Sequence, residues 1–520
     1  MRTVSSILSG VPPLFADLAQ LLTGDIDCTG RAITDYSTDG SPYRVYPQAI
    51  LYPKNATDIK YIVSFAREYR MPITVRGGGT SRNGGSLGEG IIIDLTRYFT
   101  HIRQINMMEH TITVDAGVSI KTLREKLHGW HVDVPALTHD DELATLGGLL
   151  ATKSATPSSF HHGTIREWVE ALTVVVDTGE EHRIADGITP SGRLLGIYQA
   201  VFPILTEGGP ILRAAKPEMA DDATGYSLWN TTIGPRQLLD ELVGSEGTLG
   251  IITSVTLRLS PYKEHSVTTL IPVTDTSLLT SCLEIARHHN AEHIFLYDST
   301  FKDLANKYHA GLIPISIDTP YTLLITHRDT DKEKVHSKVR TFIRALPIKE
   351  ELITHRDDTL YSEHIATLSF CVSLCDAYTG GTHIPITTGD GIIVPLHHYG
   401  VVLNELDTYL SHSGRLYTIT GNAGSGHIRI ITLFDKKSST LSDDIRVYNE
   451  TIFSCVKKHR GGISAVGGEG LARTPYLSYV YNESMRELFM RIKSAWDPHM
   501  IFNPNKKLSV TTQYLHDHLT

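Results

Sequence analysis

RGGGTSRNGGSLGEG, residues 76–90, contains seven glycines in fifteen positions and directly follows the β-branched run Ile73-Thr74-Val75. Glycine at this density costs conformational entropy, so it marks turns with positive φ or a close approach of the main chain to a ligand. Successive backbone N–H groups in such a loop form a concavity that binds anions, most often phosphate. Taken alone, the segment is equally compatible with a flexible surface loop.

The residues on both sides of this loop narrow its class. Residues 73–75 predict a strand before it, and the apolar run at residues 91–95 predicts a second strand after it. A strand–loop–strand unit differs from the strand–loop–helix of dinucleotide folds and P-loops. The loop also lacks the Lys-Ser/Thr ending that binds the β- and γ-phosphates and Mg²⁺. The sequence therefore argues against a nucleoside triphosphatase.

The composition indicates a globular chain of more than one domain. At 520 residues the chain exceeds what one hydrophobic core serves. Hydrophobic residues make up 41% and charged residues 20%, which is typical of soluble domains. The net charge is −9 and the lysines and arginines are dispersed, so we predict no nucleic-acid partner.

The cysteines and histidines carry no metal or disulfide signature. Five cysteines with no CxxC argue against a disulfide framework and against an iron–sulfur cluster held by this chain. We predict that Cys371 and Cys375 are packing residues on one helix face, with a redox role as the alternative. The 26 histidines are scattered, and no HExxH motif occurs.

The first 22 residues contain one arginine and two prolines within an apolar stretch. They match neither a secretory signal nor a membrane span, and no run of about 20 apolar residues occurs in the chain. We therefore expect a cytoplasmic protein.

Hydrophobic periodicity predicts alternating strands and helices. A strand at 49–52 is followed by Asn55 as a helix N-cap and by apolar residues at helical spacing, namely Ile59, Ile62, Val63 and Ala66. Strands are predicted at 111–116, 169–177 and 251–259, and a helix at 119–128. Beyond Pro261 a second α/β module is predicted, with strands 266–273 and 323–327 and helices 276–289 and 331–345. A helix at 483–496 precedes the C-terminal tail.

Several stretches, in this order, resemble the FAD-linked oxidoreductases related to D-lactate dehydrogenase and the glycolate oxidase FAD subunit. Residues 36–81 end in ITVRGGGTS, and residues 144–176 begin ATLGGLLATKS. Residues 242–259 read LVGSEGTLGIITSVTLRL, and residues 492–508 read IKSAWDPHMIFNPNKKL. Between these last two lie GDGIIVPLHHYGVVLNEL and TGNAGSGHIRIITLFD, which resemble the core of the family's cap domain. The resemblance covers residues 36 to 508.

The resemblance implies an α+β fold with a flavin domain of the vanillyl-alcohol-oxidase type. It comprises a two-subdomain PCMH-type FAD-binding domain, an α/β cap domain with an antiparallel sheet, and a C-terminal segment that returns to the FAD domain. The expected divisions are an N-terminal helical segment at 1–42, the FAD-binding domain at 43–261, the cap at 262–455 and the C-terminal segment at 456–520.

The resemblance also implies how FAD is bound. Gly77, Gly78 and Gly79 would bring amides to the diphosphate, and Thr80 and Ser81 would add hydroxyl donors. Arg76 would offset the phosphate charge or, alternatively, form a structural salt bridge. The loop contains no histidine or cysteine, so we predict non-covalent FAD. The other predicted cofactor residues are Gly84, Thr145, Gly147, Gly148, Gly244, Ser245, Glu246, Gly247, Thr248, Gly250, Ile251 and Asn503; simple turn chemistry is the alternative for Gly244, Gly247 and Gly250.

The chain departs from the family where relatives bind a metal. Relatives that oxidise D-2-hydroxy acids carry GHxGDGNxH in the cap and GEHG-D/N-G further on, whose histidines and glutamate hold a divalent cation. Here Asn422 and Arg429 replace the two histidines and Ser425 replaces the aspartate, while Val466 and Gly467 replace the Glu-His pair. Arginine stays protonated and valine has no lone pair, so neither can bind a cation. We predict no metal.

Four other residues are the candidates for catalysis. His427 and Arg429, two apart on a predicted strand, would point to one face. Arg429 would clamp a substrate carboxylate and His427 would act as the base. Glu469 and Arg473 lie where the family keeps charged residues near its site. The alternatives are that all four make structural hydrogen bonds, or that His161, His162 or Lys153 acts instead.

Three functions follow from the resemblance. The first is an FAD-dependent dehydrogenase that moves a hydride from a D-2-hydroxy acid, or a similar small polar alcohol, to the flavin and passes electrons to an external quinone, cytochrome or flavoprotein. Such an acceptor would allow peripheral contact with the membrane, and a homodimer is left open. The second is a flavin-binding protein or subunit with a non-catalytic cap. The third is non-redox transfer chemistry, like that of alkylglycerone-phosphate synthase.

Overall fold

The computed structural model describes residues 11–137, 143–229, 234–309, 313, 319–357, 361, 365, 377–508 and 510–520. Three main sheets organise these residues, and most of the buried apolar side chains form one continuous core between the sheets and their helices. Within these ranges no helix has both the length and the apolar character needed to cross a bilayer.

An N-terminal sheet holds the strand that leads into the glycine-rich loop. Its four strands lie in the order Asp25–Asp27, Ala49–Tyr52, Ile91–Asp94 and Ile73–Arg76, and the last three are parallel. The helix Ala56–Tyr69 connects two of them. As predicted, Asn55 caps this helix by accepting a hydrogen bond from the Asp58 amide (3.0 Å), and the apolar face at Ile59, Ile62, Val63 and Ala66 is buried.

A central sheet of five antiparallel strands lies beside it. The strand order is Ile102–Asn106, Thr111–Asp115, Ile251–Arg258, Val169–Val175 and Glu181–Ala185. The predicted strand 251–259 ends one residue early, because Ser260–Pro261 turns away to pair with Val132–Asp133. This sheet carries the Gly244–Gly250 turn at the start of its middle strand.

A third sheet, here called the cap sheet, is antiparallel throughout. Seven strands lie in the order Thr354–Arg356, His265–Val273, Tyr321–Asp329, His293–Asp298, Tyr417–Gly421, His427–Asp435 and His383–Ile386, and Asp390–Ile393 also pairs with His427–Asp435. His427 and Arg429 lie on one of its inner strands, as predicted. The predicted helix 276–289 begins with a 3₁₀ turn, Thr276–Leu278, before the α-helix Leu279–His288.

Helices cover the sheets. Further α-helices within the described ranges are Ala16–Leu21, Gly30–Tyr36, Ile120–Gly129, Leu146–Ala151, Ser159–His162, Ile165–Trp168, Gly192–Glu207, Gly209–Ala215, Pro235–Leu242, Ser299–Tyr308, Lys332–Ala345, Tyr399–His412, Leu441–Lys458, Gly470–Arg473, Glu483–Trp496 and Thr512–Asp517. The further 3₁₀ helices are Pro13–Phe15, Glu350–Leu352, Leu396–His398, Ala423–Ser425 and Thr474–Tyr479. Cys371 and Cys375 lie outside the described residues.

The C-terminal segment returns to the N-terminal sheet. Phe502 forms a parallel bridge with Ile73, and the amide of Asn503 donates to the Ile73 carbonyl (2.7 Å). Lys493, buried on the helix Glu483–Trp496, donates to Asp497 (2.6 Å) and to the carbonyls of Thr248 and Phe502. The predicted α+β class, with an antiparallel cap sheet and a returning C-terminal segment, is confirmed.

Candidate functional site

The main cleft lies where the glycine-rich loop, the central sheet and the cap sheet meet. It encloses about 1320 Å³ of empty space, counting its open mouth. Twelve of the predicted cofactor residues line it, namely Arg76, Gly77, Gly78, Gly79, Thr80, Ser81, Thr145, Gly147, Gly148, Glu246, Gly247 and Gly250. Residues far apart in sequence thus form one continuous wall.

The loop takes its shape from its own backbone and one hydroxyl. Gly79 has φ of +69°, a left-handed conformation that glycine adopts without steric cost. The Ser81 hydroxyl oxygen accepts hydrogen bonds from the amides of Gly85 (2.9 Å) and Asn83 (3.3 Å). Arg76 donates to the Thr38 carbonyl (2.9 Å) and lies over the Tyr36 ring, which ties the loop to the N-terminal segment.

The short helix Leu146–Ala151, where the sequence predicted a close backbone passage, forms an adjoining part of the wall, since Gly77 packs against Thr145. Thr145 caps it by accepting a hydrogen bond from the Gly148 amide (3.3 Å), and the Gly147 amide donates to the Ala116 carbonyl (2.7 Å). Outside its own helix and among the described residues, a Cβ added at Gly148 would meet only the Thr145 hydroxyl oxygen within 4 Å, at 3.5 Å. The absence of a side chain at Gly148 therefore keeps this part of the cleft open.

The other six predicted cofactor residues lie behind the cleft rather than on its described lining: Gly84, Gly244, Ser245, Thr248, Ile251 and Asn503. The side chain of Asn503 connects three segments. Its Nδ2 donates to the carbonyls of Glu246 (2.6 Å) and Gly85 (3.2 Å), and its Oδ1 accepts from the Thr74 hydroxyl (3.0 Å). It holds the glycine-rich loop against the Gly244–Gly250 turn.

The cap end of the cleft carries an ion-pair chain that sequence reasoning missed. Asp390 lines the cleft and pairs with Arg82 of the loop (3.2 Å) and with Arg429 of the cap sheet (2.6 Å). Burial alone would raise the pKa of Asp390, but the charges of Arg429 and Arg82 hold it well below its usual value. Asp390 is thus a carboxylate at neutral pH. The sequence contained one indication that Asp390 lies at a site, because it stands between Gly389 and Gly391 in a turn-like Gly-Asp-Gly stretch.

His427 lies behind the Arg82–Asp390–Arg429 ion pairs and is 1% exposed. Its Nδ1 faces the Asn422 amide (3.3 Å), and its Nε2 has no hydrogen-bond partner among the described residues. Burial, followed by the charge of Arg429, lowers the pKa of His427 to about 3. The ring is therefore neutral at pH 7. Neither His427 nor Arg429 belongs to the described lining of the cleft.

Glu469 and Arg473 lie in a buried network beside the cleft. Glu469 and Glu246 both pair with Lys507, and Glu469 accepts from the Gly225 amide (2.6 Å). Burial, together with the charge of Glu246, raises the pKa of Glu469 above its usual value. Arg473 donates to the carbonyls of Thr388 (3.0 Å), Val466 (2.9 Å) and Gly468 (3.0 Å).

The three alternative candidates are also placed. Lys153, with φ of +48°, donates to the carbonyls of Asp222 (2.8 Å) and Ala220 (3.1 Å), and burial lowers its pKa. His162 contacts Glu292 of the cap through Nε2 (2.6 Å), and His161 is exposed next to it. All three lie outside the described lining. Val466 and Gly467, the two substituted positions of the second family motif, do line the cleft.

Family comparisons identify both halves of this architecture. Residues 47–185 match the FAD binding domain, and residues 263–507 match the C-terminal domain of FAD linked oxidases. The chain is similar to D-2-hydroxyglutarate dehydrogenase from Pantoea ananatis, with 25% identity over an alignment of 545 positions. The alignment covers 94% of this chain and 50% of that protein. The enzyme of the same name from Pseudomonas putida is 26% identical, with 93% and 50% covered. The chain spans about half the length of these curated relatives.

A relative of similar length and a solved structure extend the comparison. The glycolate oxidase subunit GlcD of Bacillus subtilis is 24% identical, with 92% of each chain covered. An alkyldihydroxyacetonephosphate synthase structure matches 97% of this chain and 88% of its own with a TM-score of 0.66 at 15% identity, which shows a shared fold. Together with the two matched domains, these findings make the chain a member of the FAD-linked oxidoreductase family, with a PCMH-type FAD-binding domain and a cap domain of the FAD-linked oxidase type.

Proposed function

We propose that this protein is an FAD-dependent dehydrogenase that oxidises a small 2-hydroxy acid. The observation that carries the proposal is the cleft itself, which runs from the glycine-rich loop to the Arg82–Asp390 pair at the cap. Relatives named D-2-hydroxyglutarate dehydrogenase, D-lactate dehydrogenase and glycolate oxidase subunit support the substrate class. Hydroxy acids carry a carboxylate, which a guanidinium binds well.

The residues of the cleft fit FAD. The bare backbone of Gly77, Gly78 and Gly79, with the Thr80 and Ser81 hydroxyls, suits a diphosphate. Gly148, which also lines the cleft, adds no side chain to this part of the wall. When bound, FAD supplies a hydride acceptor. The loop has no histidine or cysteine to which a flavin could be attached, which supports the non-covalent binding that we propose.

We assign substrate recognition to Arg82, which lies on the cleft wall with 20% of its side chain exposed. Its guanidinium has a fork geometry that matches a carboxylate. Asp390 orients that guanidinium, and Arg429 holds Asp390 from behind. The direct clamp predicted for Arg429 stays a prediction, and its position behind Asp390 favours a positioning role.

The base role of His427 also stays a prediction. The ring is neutral at pH 7, but its Nδ1 accepts a hydrogen bond from the Asn422 backbone amide, so its hydrogen lies on Nε2, and the lowered pKa makes the ring a weak base. A proton would have to pass to it from the cleft, because the ring lies behind the described lining. Glu469 and Arg473 support the cleft wall in this proposal, through Glu246 and through the Val466 carbonyl.

A second function is favoured by one observation. His427, Arg429, Glu469 and Arg473 are all at most 1% exposed and are engaged with other groups of the protein. A flavin-binding protein or subunit without turnover would show the same burial. The first proposal also includes an external electron acceptor and a homodimer. It places the chain in the cytoplasm, where it would meet its acceptor at the membrane surface.

Anaerobic reduction separates the two functions. The FAD-loaded protein is mixed with a panel of D-2-hydroxy acids, and loss of the visible flavin absorbance is followed. If the protein is a dehydrogenase, we expect at least one D-2-hydroxy acid to bleach the flavin and its L-enantiomer to leave the flavin oxidised. Bleaching by none of them, in protein that dithionite still reduces, would support the non-catalytic function.

The same assay tests the metal-free mechanism. Prior treatment with a chelator should leave the bleaching rate unchanged, and Arg82→Ala should raise the substrate concentration needed for half-maximal bleaching. Activity that returns only with added Zn²⁺ or Mn²⁺ would contradict the mechanism.

A further inference from the structure

A cluster of three metal-binding side chains lies in the cap, apart from the FAD cleft. Glu405 is on the helix Tyr399–His412, Cys455 is near the end of the helix Leu441–Lys458, and His459 follows that helix directly. One ligand atom from each lies within 4.8 Å of the other two, and His459 Nε2 is 3.1 Å from Glu405 Oε2. None of the three belongs to the described lining of the FAD cleft.

The three groups match the ligand set of zinc. Thiolate, imidazole and carboxylate bind Zn²⁺ at about 2.3, 2.0 and 2.1 Å, which places tetrahedral ligands within about 4 Å of one another. Cys455 and His459 are four residues apart at one helix end, so they project to the same side. The three ligand atoms, which lie within 4.8 Å of one another, would move closer together to reach this separation of about 4 Å.

A separate groove supplies room for a further ligand. It holds about 910 Å³ of empty space, counting its open side, and its lining includes Glu405, Cys455 and Lys458. Water can therefore reach the cluster, and a zinc ion with three protein ligands takes water as its fourth.

We propose that Glu405, Cys455 and His459 bind a zinc-type divalent cation that joins the two helices. Binding forms bonds from the metal to Cys455 Sγ, to His459 Nε2 and to a Glu405 carboxylate oxygen. The thiol proton passes to solvent, and the Nε2 hydrogen that faces Glu405 is transferred to Nδ1 of the same ring. The site is independent of the flavin and of the metal position that this family uses.

Lys458 competes with the cation for the Glu405 carboxylate, and this competition can be tested. Its ammonium contacts both oxygens of Glu405, at 2.9 and 3.1 Å, and must move away when a cation binds. Its side chain is 63% exposed, so it can swing into solvent. Replacing Lys458 with glutamine removes a competing positive charge, and the affinity for the cation should rise.

The test is zinc binding to the purified FAD-loaded chain, measured by competition with a chromophoric chelator and by metal analysis after dialysis. We expect one zinc per chain. Cys455→Ser and His459→Gln should each weaken binding more than about 100-fold, since loss of an outer-shell partner alone costs 10–100-fold. Lys458→Gln should tighten binding several-fold.

Matched controls are Cys282→Ser, a buried cysteine elsewhere in the cap, and Lys457→Gln, the neighbouring lysine. Both should leave zinc affinity unchanged, and retained flavin absorbance shows that each variant is folded. Zinc binding that survives Cys455→Ser but is lost in His162→Gln would overturn the proposal and place the ion at His161, His162 and Glu292. Failure of wild-type protein to bind zinc would also overturn it, whatever the outcome of the hydroxy-acid assay.

Discussion

Asp390 is the residue at which the glycine-rich loop and the cap sheet are joined by charge. It is 4% exposed and is shared by Arg82 and Arg429. A buried carboxylate is costly unless it is paired and hydrogen-bonded, so its two guanidinium partners keep it ionised within the cleft wall. The charge state of the cap end of the cleft thus depends on an arginine that lies behind it.

Arg429→Ala should destabilise the protein by about 3 kcal/mol, because it leaves a buried carboxylate with one guanidinium partner fewer. The measurement is urea unfolding of the FAD-loaded protein. Arg415→Ala is the matched control, since Arg415 pairs with Asp444 (3.1 Å) where both side chains are about one-third exposed, and it should cost less than about 1 kcal/mol. Equal losses in the two variants would contradict a structural role for the Arg429–Asp390 pair.

A substitution at Gly148 tests whether FAD binds in the cleft. Gly148→Leu places a side chain where only the cleft offers space, so FAD affinity should fall by at least about tenfold, which is 1.4 kcal/mol of binding. The measurement is titration of apoprotein with FAD, followed by flavin fluorescence. Gly129→Leu is the control, because Gly129 also lies in a helix with open space around it but outside the described lining. Unchanged FAD affinity in Gly148→Leu would refute this placement of the cofactor.

At the scale of elements, two helices far apart in sequence are docked by one buried hydrogen bond. Trp496 Nε1, at the end of Glu483–Trp496, donates to Glu241 of Pro235–Leu242 (2.6 Å). Burial raises the pKa of Glu241 from 4.5 to about 7. Folding therefore favours the protonated acid, and the stability that Glu241 contributes is complete below pH 4.5 and is lost as the pH rises to about 7.

This shift predicts a pH-dependent difference between wild type and Glu241→Gln. Glutamine cannot ionise, so between about pH 5 and pH 8 the variant should gain roughly 3 kcal/mol on wild type, from 1.36 kcal/mol per pKa unit. Urea unfolding of both proteins across this range measures the gain. Glu218→Gln, at an exposed glutamate, is the surface control. A constant offset between wild type and Glu241→Gln would show that Glu241 does not titrate in this window.

The element scale is also where sequence patterns were most informative. The helix 483–496 and the strand 49–52 have the predicted bounds, because apolar periodicity and their flanking residues act locally. The helix Leu146–Ala151 was not predicted, since the double glycine within it lowers helix propensity. Its position is set by packing and by the Thr145 cap.

At the scale of the whole molecule, the cleft is an assembly. Its walls come from the glycine-rich loop between two strands of the N-terminal sheet, the Gly244–Gly250 turn of the central sheet, the cap sheet and the C-terminal segment. A ligand that contacts all four holds them together. Anything that binds only the folded state stabilises it by mass action.

FAD should therefore raise the unfolding free energy of the apoprotein by about 2.7 kcal/mol at a free concentration 100 times its dissociation constant. Thermal melting of apoprotein with and without FAD checks this value. Riboflavin, which lacks the diphosphate, should give a much smaller shift at the same concentration if the glycine-rich loop binds phosphate. Equal shifts with the two ligands would place the binding energy elsewhere.

The sequence by itself determined the family, the cofactor class and the residues of the glycine-rich loop, because loop chemistry is written in consecutive glycines and hydroxyls. Only the tertiary structure decided the cap end of the cleft. Arg82 and Asp390 are 308 residues apart, and no local pattern reports that they form an ion pair. Strand pairing between Asp390–Ile393 and His427–Asp435 also places Arg429 beside Asp390, an ion pair that the sequence did not reveal, while the predicted clamp by Arg429 stays a prediction.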